Sequence, residues 1–310
     1  MKKYLFLFLA FTLIAHISFS QTVDELIDIG ERYLLEGLFQ EAHSVGKEAI
    51  RLNPNHALAH LHIGVVYYRL NDMLLALDSF SRAIELDNTF AEAYAWRAKI
   101  FQNLNNPVRA RHDYNMAVYL DQENDRFRTL RGVFLYTVIG DFISALNDLN
   151  RAVEINPLNH LNFQHRGVLL SKLGLDEMAL EDYNSAIRLN SEDTMNFSNK
   201  GVSLAFLGRY EEAIESFSIA VQLDNNNYRA FFDRGYVHFR LGIYNEAILD
   251  FSEVIRIHPN SRHYRLAYSN RAFTYRRLAE QVDNPIQARY YLNRALIDEE
   301  IVTRLDGQRE

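Results

Sequence analysis

The chain has 310 residues, 48% of them hydrophobic and 24% charged, a balance that excludes a disordered polymer and leaves ample material for burial. Its formal charge is −7, and with no excess of Lys and Arg to neutralise phosphates a nucleic-acid partner is excluded. Cysteine is absent, which rules out disulfide frameworks, thiolate metal sites, thiol nucleophiles and thioether lipid anchors.

The first predicted element is a leader. Lys2 and Lys3 precede an apolar run from Tyr4 to Phe19, interrupted by Thr12 and His16, and Ser18 and Ser20 put small side chains just before Gln21. At 16 residues (4 to 19) the run is shorter than the roughly 20 needed to span a bilayer. Residues 1–20 therefore read as a signal peptide, and loss of Lys2 and Lys3 takes the charge from −7 to −9. The expected product is exported, periplasmic or secreted, touching a membrane only indirectly or through an uncleaved leader.

Downstream of the leader a single unit is repeated. Ala42, Ala76, Ala110, Ala145, Ala179, Ala213 and Ala247 recur at intervals of 34, 34, 35, 34, 34 and 34 residues. Upstream of each lies a second small position: Gly30, Gly64, Ala98, Gly132, Gly167, Gly201, Gly235 and Ala272. A third follows the alanines by seven residues, two helical turns on one face: Ala49, Ala83, Ala117, Ala152, Ala186 and Ala220, with Val254 the exception and Ala295 assigned to the same position in the last unit. Large residues alternate with them, such as Phe80, Tyr114, Tyr183, Phe217 and Phe251 four after the alanine, a pattern of two antiparallel helices crossing closely. Units begin near Val23, Ala57, Ala91, Asp125, His160, Thr194, Tyr228 and Arg265. Pro54, Pro157 and Pro259 fall between units, and Pro107 and Pro285 at the first turn of a second helix, so none interrupts a helix. Gly37, Gly174, Gly208 and Gly242 close the first helices.

The stretch AEAYAWRAKIFQNLNNPVRARHDYNMAVYLDQEN and, more fully, TMNFSNKGVSLAFLGRYEEAIESFSIAVQLDNNN with its Gly, Leu-Gly-x-Tyr, Ala, Phe and Ala signature resemble the tetratricopeptide repeat, here of an exported bacterial type. The resemblance implies an all-α chain folded as an α-α superhelix, or solenoid, of about eight helix-turn-helix repeats over residues 21–302, with a C-terminal tail at 303–310. The fourth unit departs by one extra residue near Thr137–Gly140, and the last inserts AEQVDN before Pro285, as a water-facing cap would tolerate.

Charged and polar constellations read as structure. Arg97, Arg131, Arg166, Lys200, Arg234 and Arg271 precede the small position, and Asp113, Asp148, Asp182 and Asp250 stand in the second helix. Asp113 to Arg131, Asp148 to Arg166 and Asp182 to Lys200 are each 18 apart, which predicts ion pairs docking each unit on the next. His56, His60 and His62 lack a common face and a nearby carboxylate, so no metal is expected. No Gly-x-Ser-x-Gly elbow or phosphate loop occurs; catalytic residues and cofactors are expected to be absent.

Function is then expected of the concave face, which the resemblance places one, four and five residues after the small position of each first helix. The partner-binding candidates are Val65, Tyr68, Lys99, Val133, Tyr136, Val168, Val202, Phe206, Tyr236, Phe239, Arg240, Phe273 and Arg276. Such a row of valines and aromatics flanked by arginine has the composition of a binding hot spot, and Arg229, Arg240, Arg276 and Arg277 would orient an acidic end. The expectation is a non-enzymatic scaffold in the cell envelope holding a partner protein's peptide segment or helix. Two alternatives stay open: a structural assembly subunit, and an enzyme whose site would appear as a compact cluster of titratable groups.

Overall fold

The computed structural model describes residues 22–257 and 262–307. The leader at 1–20, Pro259, the junction at 258–261 and the last three residues lie outside the described residues. Among the described residues, sixteen α-helices alternate as first and second members of eight hairpins: α1 Val23–Leu35, α2 Phe39–Leu52, α3 Ala57–Arg69, α4 Met73–Leu86, α5 Ala91–Asn103, α6 Pro107–Leu120, α7 Asp125–Phe134, α8 Phe142–Ile155, α9 His160–Lys172, α10 Asp176–Leu189, α11 Thr194–Phe206, α12 Tyr210–Leu223, α13 Tyr228–Arg240, α14 Tyr244–Ile257, α15 Arg262–Gln281 and α16 Pro285–Gly307. Among the described residues there is no strand, and no helix is long and apolar enough to cross a membrane. The chain divides into two compact units, residues 1–151 and 152–310.

Small residues set the crossing within each hairpin. A Cβ on Gly201 would lie 2.7 Å from the ring of Phe217, and one on Gly167 would lie 2.8 Å from Tyr183. Seven ladder alanines, from Ala42 to Ala247, are fully buried. Gly201→Ala is therefore expected to destabilise the second unit by about 1–3 kcal/mol through overpacking, although alanine is the better helix former. Urea unfolding measures this, and a gain in stability would mean that Phe217 can move aside.

Backbone punctuation follows the period. Each turn between the first seven pairs of helices carries one residue with positive φ, glycine at 37, 140, 174, 208 and 242 but asparagine at Asn71 (64°) and Asn105 (55°). Asn53, Asp87, Asn156, Asn190 and Asp224 end second helices, their side chains accepting the N–H two residues on. Pro107 opens α6 behind the cap Asn106, as its fixed φ favours. His56 Nδ1 accepts the Ala59 N–H at the start of α3, His60 meets the Pro54 carbonyl, and His62 fills the space above Gly30 and Gly46. Burial holds the His62 imidazole below its usual pKa.

Two irregularities have simple causes. The extra residue of the fourth unit is absorbed as a π turn, Leu135–Ile139, ending on left-handed Gly140. The extra residues of the last unit do not form a loop; they lengthen both helices. Ala272 is followed by nine helical residues, against five after Ala98, and Ala295 lies ten residues into α16, where Ala110 lies three into α6. Ala295 therefore takes the place of the ladder alanine, not the third small position assigned from sequence, with Asp298 three residues beyond it as Asp113 is beyond Ala110. Glu299, Glu300 and Thr303 then stand where α14 has Phe251, Ser252 and Ile255, giving a polar outer side. Thr303–Gly307 is helical rather than tail.

The ion-pair ladder exists but with a different partner scheme. Each arginine reaches the aspartate of its own hairpin: Arg97 to Asp113 (2.6 Å), Arg131 to Asp148 (2.7 Å), Arg166 to Asp182 (2.7 Å), Arg234 to Asp250 (2.6 Å) and Arg271 to Asp298 (2.8 Å). Among the described residues, the pairs expected from Asp113 to Arg131 and from Asp182 to Lys200 do not form. Adjacent hairpins are joined instead by the third guanidinium arm, which donates to Ser81 from Arg97, Asn115 from Arg131, Ser218 from Arg234 and Ser252 from Arg271. Geometry decides: the planar fork matches the carboxylate across the hairpin and leaves one N–H pointing back.

Candidate protein-binding face

In the second unit the first helices α9, α11, α13 and α15 pack side by side. Residues four, seven and eleven apart share one side of a helix. On α11 that side carries Met195, Asn199, Val202 and Phe206; on α13, Arg229, Asp233, Tyr236 and Arg240. The matching residues are Leu161, His165, Val168 and Lys172 on α9, and Leu266, Asn270, Phe273 and Arg277 on α15. The large apolar side chains stand in solvent: Phe206 is 75% exposed, Met195 57%, Phe273 49%, Tyr236 46% and Leu161 42%.

Six sequence-predicted residues, Val168, Val202, Phe206, Tyr236, Arg240 and Phe273, are thus brought onto one face. Phe239 and Arg276 lie on the adjoining ridge and are already engaged. Phe239 packs between the rings of Phe273 (5.4 Å) and Tyr244 (5.6 Å). Arg276 is held by both carboxylate oxygens of Glu299 at 2.7 Å, which keeps that carboxyl below its usual pKa. Arg277 pairs with Glu280 and covers Phe273, so two of the four arginines of the expected cluster are spent internally. Arg240 differs. It contacts the Tyr236 hydroxyl and the Tyr210 ring, with no carboxylate within 4.0 Å among the described residues.

Sequence reasoning passed over the polar members of the face. His165, Asn199, Asp233 and Asn270 are half-buried, and none of their side chains has a hydrogen-bond partner among the described residues. Burial pushes the Asp233 carboxyl up to about 6, opposed by the Arg229 charge. The His165 imidazole is held below its usual pKa by the same cause. The signal was in the period: all four stand two residues before the small position, at spacings of 34, 34 and 37.

In the first unit the predicted residues are more enclosed. Tyr68 packs against Trp96 (5.4 Å), and the Lys99 ammonium lies over both rings at 5.3 and 5.7 Å. Arg126 covers Trp96 from the next hairpin and pairs with Glu92 at 2.9 Å. Val65 and Val133 are half-buried. Tyr136 is a correction: it is 7% exposed and belongs to the core, because the π turn changes the angular register of residues 135–139.

Profiles of the tetratricopeptide repeat match residues 27–89 and 229–261, and a TPR repeat profile matches residues 201–242. Over 131 residues the sequence is 27% identical to the human protein O-mannosyl-transferase TMTC3, a stretch that is 41% of this chain and 14% of that protein's length. Among solved structures, the Cut9–Hcn1 hetero-tetramer of APC/C superposes with a TM-score of 0.66 at 19% identity, over 81% of this chain and 48% of that one. A tetratricopeptide repeat protein from Parabacteroides merdae gives 0.61 at 18% identity, over 82% and 99%. Pseudomonas aeruginosa PilF gives 0.60 at 22% identity, over 68% and 95%. The likeness to these structures is one of fold.

Proposed function

From the premise that this chain is a tetratricopeptide-repeat protein, we propose that it is a non-catalytic scaffold that captures an extended segment of a partner protein on the first-helix face of its second unit. One observation carries the reading: exposed Phe206, Tyr236 and Phe273 alternate, on that face, with the partnerless polar side chains of His165, Asn199, Asp233 and Asn270. The rings supply affinity at about 25 cal/mol per Å² of apolar surface buried. Half-buried polar groups need partners once a ligand displaces water. An extended segment offers free main-chain N–H and C=O groups to a row of such side chains, whereas a helix has already used its own. Arg240 is placed to meet an acidic side chain of the segment. Lys2, Lys3 and the apolar run behind them support export, so the partner belongs outside the cytoplasm.

Site-specific photo-cross-linking tests the face. A photoreactive residue at position 206 or 236 is expected to trap one and the same partner, and one at Glu181 or Glu215, on the second helices of that unit, to trap none. Trapping confined to positions 181 and 215 would move the partner to the opposite side and refute the assignment.

A further inference from the structure

The Arg–Asp ladder is the same in most hairpins, but in the third it borders a cavity of about 480 Å³. Its apolar lining comes from Leu77 of α4 and Phe101 of α5. Arg109 and His112 of α6 and Ser81 of α4 line it as well. Asp113, also at the wall, is 1% exposed and fully engaged: Arg97 donates to it at 2.6 and 3.0 Å, and His112 Nδ1 lies 3.0 Å from the same carboxylate. That contact leaves the other ring nitrogen of His112 without a hydrogen-bond partner among the described residues, on a side chain that is 68% exposed. Arg109 has no carboxylate within 4.0 Å among the described residues; its guanidinium lies over the Phe101 ring at 5.5 Å. The lining therefore carries two guanidinium charges and one carboxylate before any proton binds His112. Asp78, beside Leu77 on α4, is exposed and does not line the cavity.

The other hairpins show what is particular to this one. At the position of Arg109 they carry Glu41, Leu75, Ser144, Met178, Glu212, Glu246 and Arg294; at the position of His112 they carry Ser44, Asp78, Asn147, Glu181, Glu215, Leu249 and Ile297. The last hairpin repeats the first feature, with Arg294 over the Tyr275 ring at 5.8 Å, but has Ile297 in place of His112, so only the third hairpin carries both. The ladder needs only Arg97, Asp113 and Ser81, so Arg109 and His112 are additions to a finished structural motif.

The geometry points to a ligand site for a carboxylate or phosphate joined to an apolar body, the anion between Arg109, His112 and the Ser81 hydroxyl and the body against Leu77 and Phe101. A guanidinium steadied on an aromatic ring presents its N–H groups as a fork that suits either anion, and the volume fits a ligand about the size of an aromatic acid. The site lies in the first unit and stands independently of the proposed partner face.

Calorimetric titration of the chain with phenyl phosphate and with phenylacetate, at low salt, tests the site. Saturable one-to-one binding of at least one is expected, with phenol showing none. Arg109→Ala is expected to weaken binding at least ten-fold with no change in melting temperature, since Arg109 is exposed, and Arg109→Lys to restore part of it. A heptapeptide with a central phosphotyrosine separates the two sources of such an anion: tighter binding than phenyl phosphate assigns the site to a modified protein, and weaker binding to a free small molecule. No saturable binding of either probe, equal binding of phenol, or wild-type affinity in Arg109→Ala would overturn the assignment.

Discussion

Asp148→Ala is expected to remove about 3 kcal/mol of stability from the first unit and to lower its melting temperature by roughly 6–12 °C. The Asp148 side chain is 6% exposed and accepts Nε and Nη2 of Arg131 at 2.7 Å each, with Arg128 3.6 Å away. Deleting it strands two guanidinium groups, 22% and 16% exposed, in a site built for a carboxylate. An uncompensated buried charge of this kind costs about 3–5 kcal/mol, and the water still reaching Arg131 moves the value to the lower end. Arg131→Ala in the same background should recover part of the loss, because the stranded charge leaves with it. An unchanged urea midpoint for Asp148→Ala would mean that the ladder does not hold the hairpin, and the role assigned to Arg97, Arg166, Arg234 and Arg271 would fall with it.

The ladder also marks how far the sequence could be read. The period located every hairpin, since small residues at fixed intervals are what close helix crossings require and Phe217 over Gly201 uses the space they leave. It could not say which carboxylate an arginine would choose. Separations of 16 within a hairpin and 18 across the junction both bring Arg and Asp into range in one dimension, and only the hairpin's geometry favours the former. Insertions were visible as departures, but their outcome was not. One extra residue became a π turn that buried Tyr136, and the last insertion lengthened two helices and gave Ala295 and Asp298 the roles of Ala110 and Asp113. On the partner face the transferred positions found the rings and missed His165, Asn199, Asp233 and Asn270. Rings announce themselves by composition; polar side chains are told apart only by whether the fold gives them partners.

Phe206→Ala combined with Tyr236→Ala is expected to weaken partner capture by about 2–4 kcal/mol, roughly 30- to 1,000-fold, with stability changed by no more than about 1 kcal/mol. Both rings are largely in solvent, 75% and 46% exposed, so truncation opens no cavity. Phe239 is left intact because it packs on Tyr244 and Phe273, and its loss would mix unfolding with binding. Ile143→Ala in the first unit is the matched control, since Ile143 is 79% exposed and lies on a second helix. Asp233→Asn added to the wild type separates apolar from polar recognition. Its carboxyl, pushed up to about 6 by burial, binds a proton that the unfolded chain does not hold between about pH 4 and 6, and above that range the buried charge costs stability. The asparagine variant should therefore be more stable than the wild type at pH 8 and indistinguishable at pH 4, while its effect on capture reports whether the carboxylate itself contacts the partner. Equal capture by the double variant and the wild type would place the partner on another surface, because no ligand that covers this face can avoid burying Phe206.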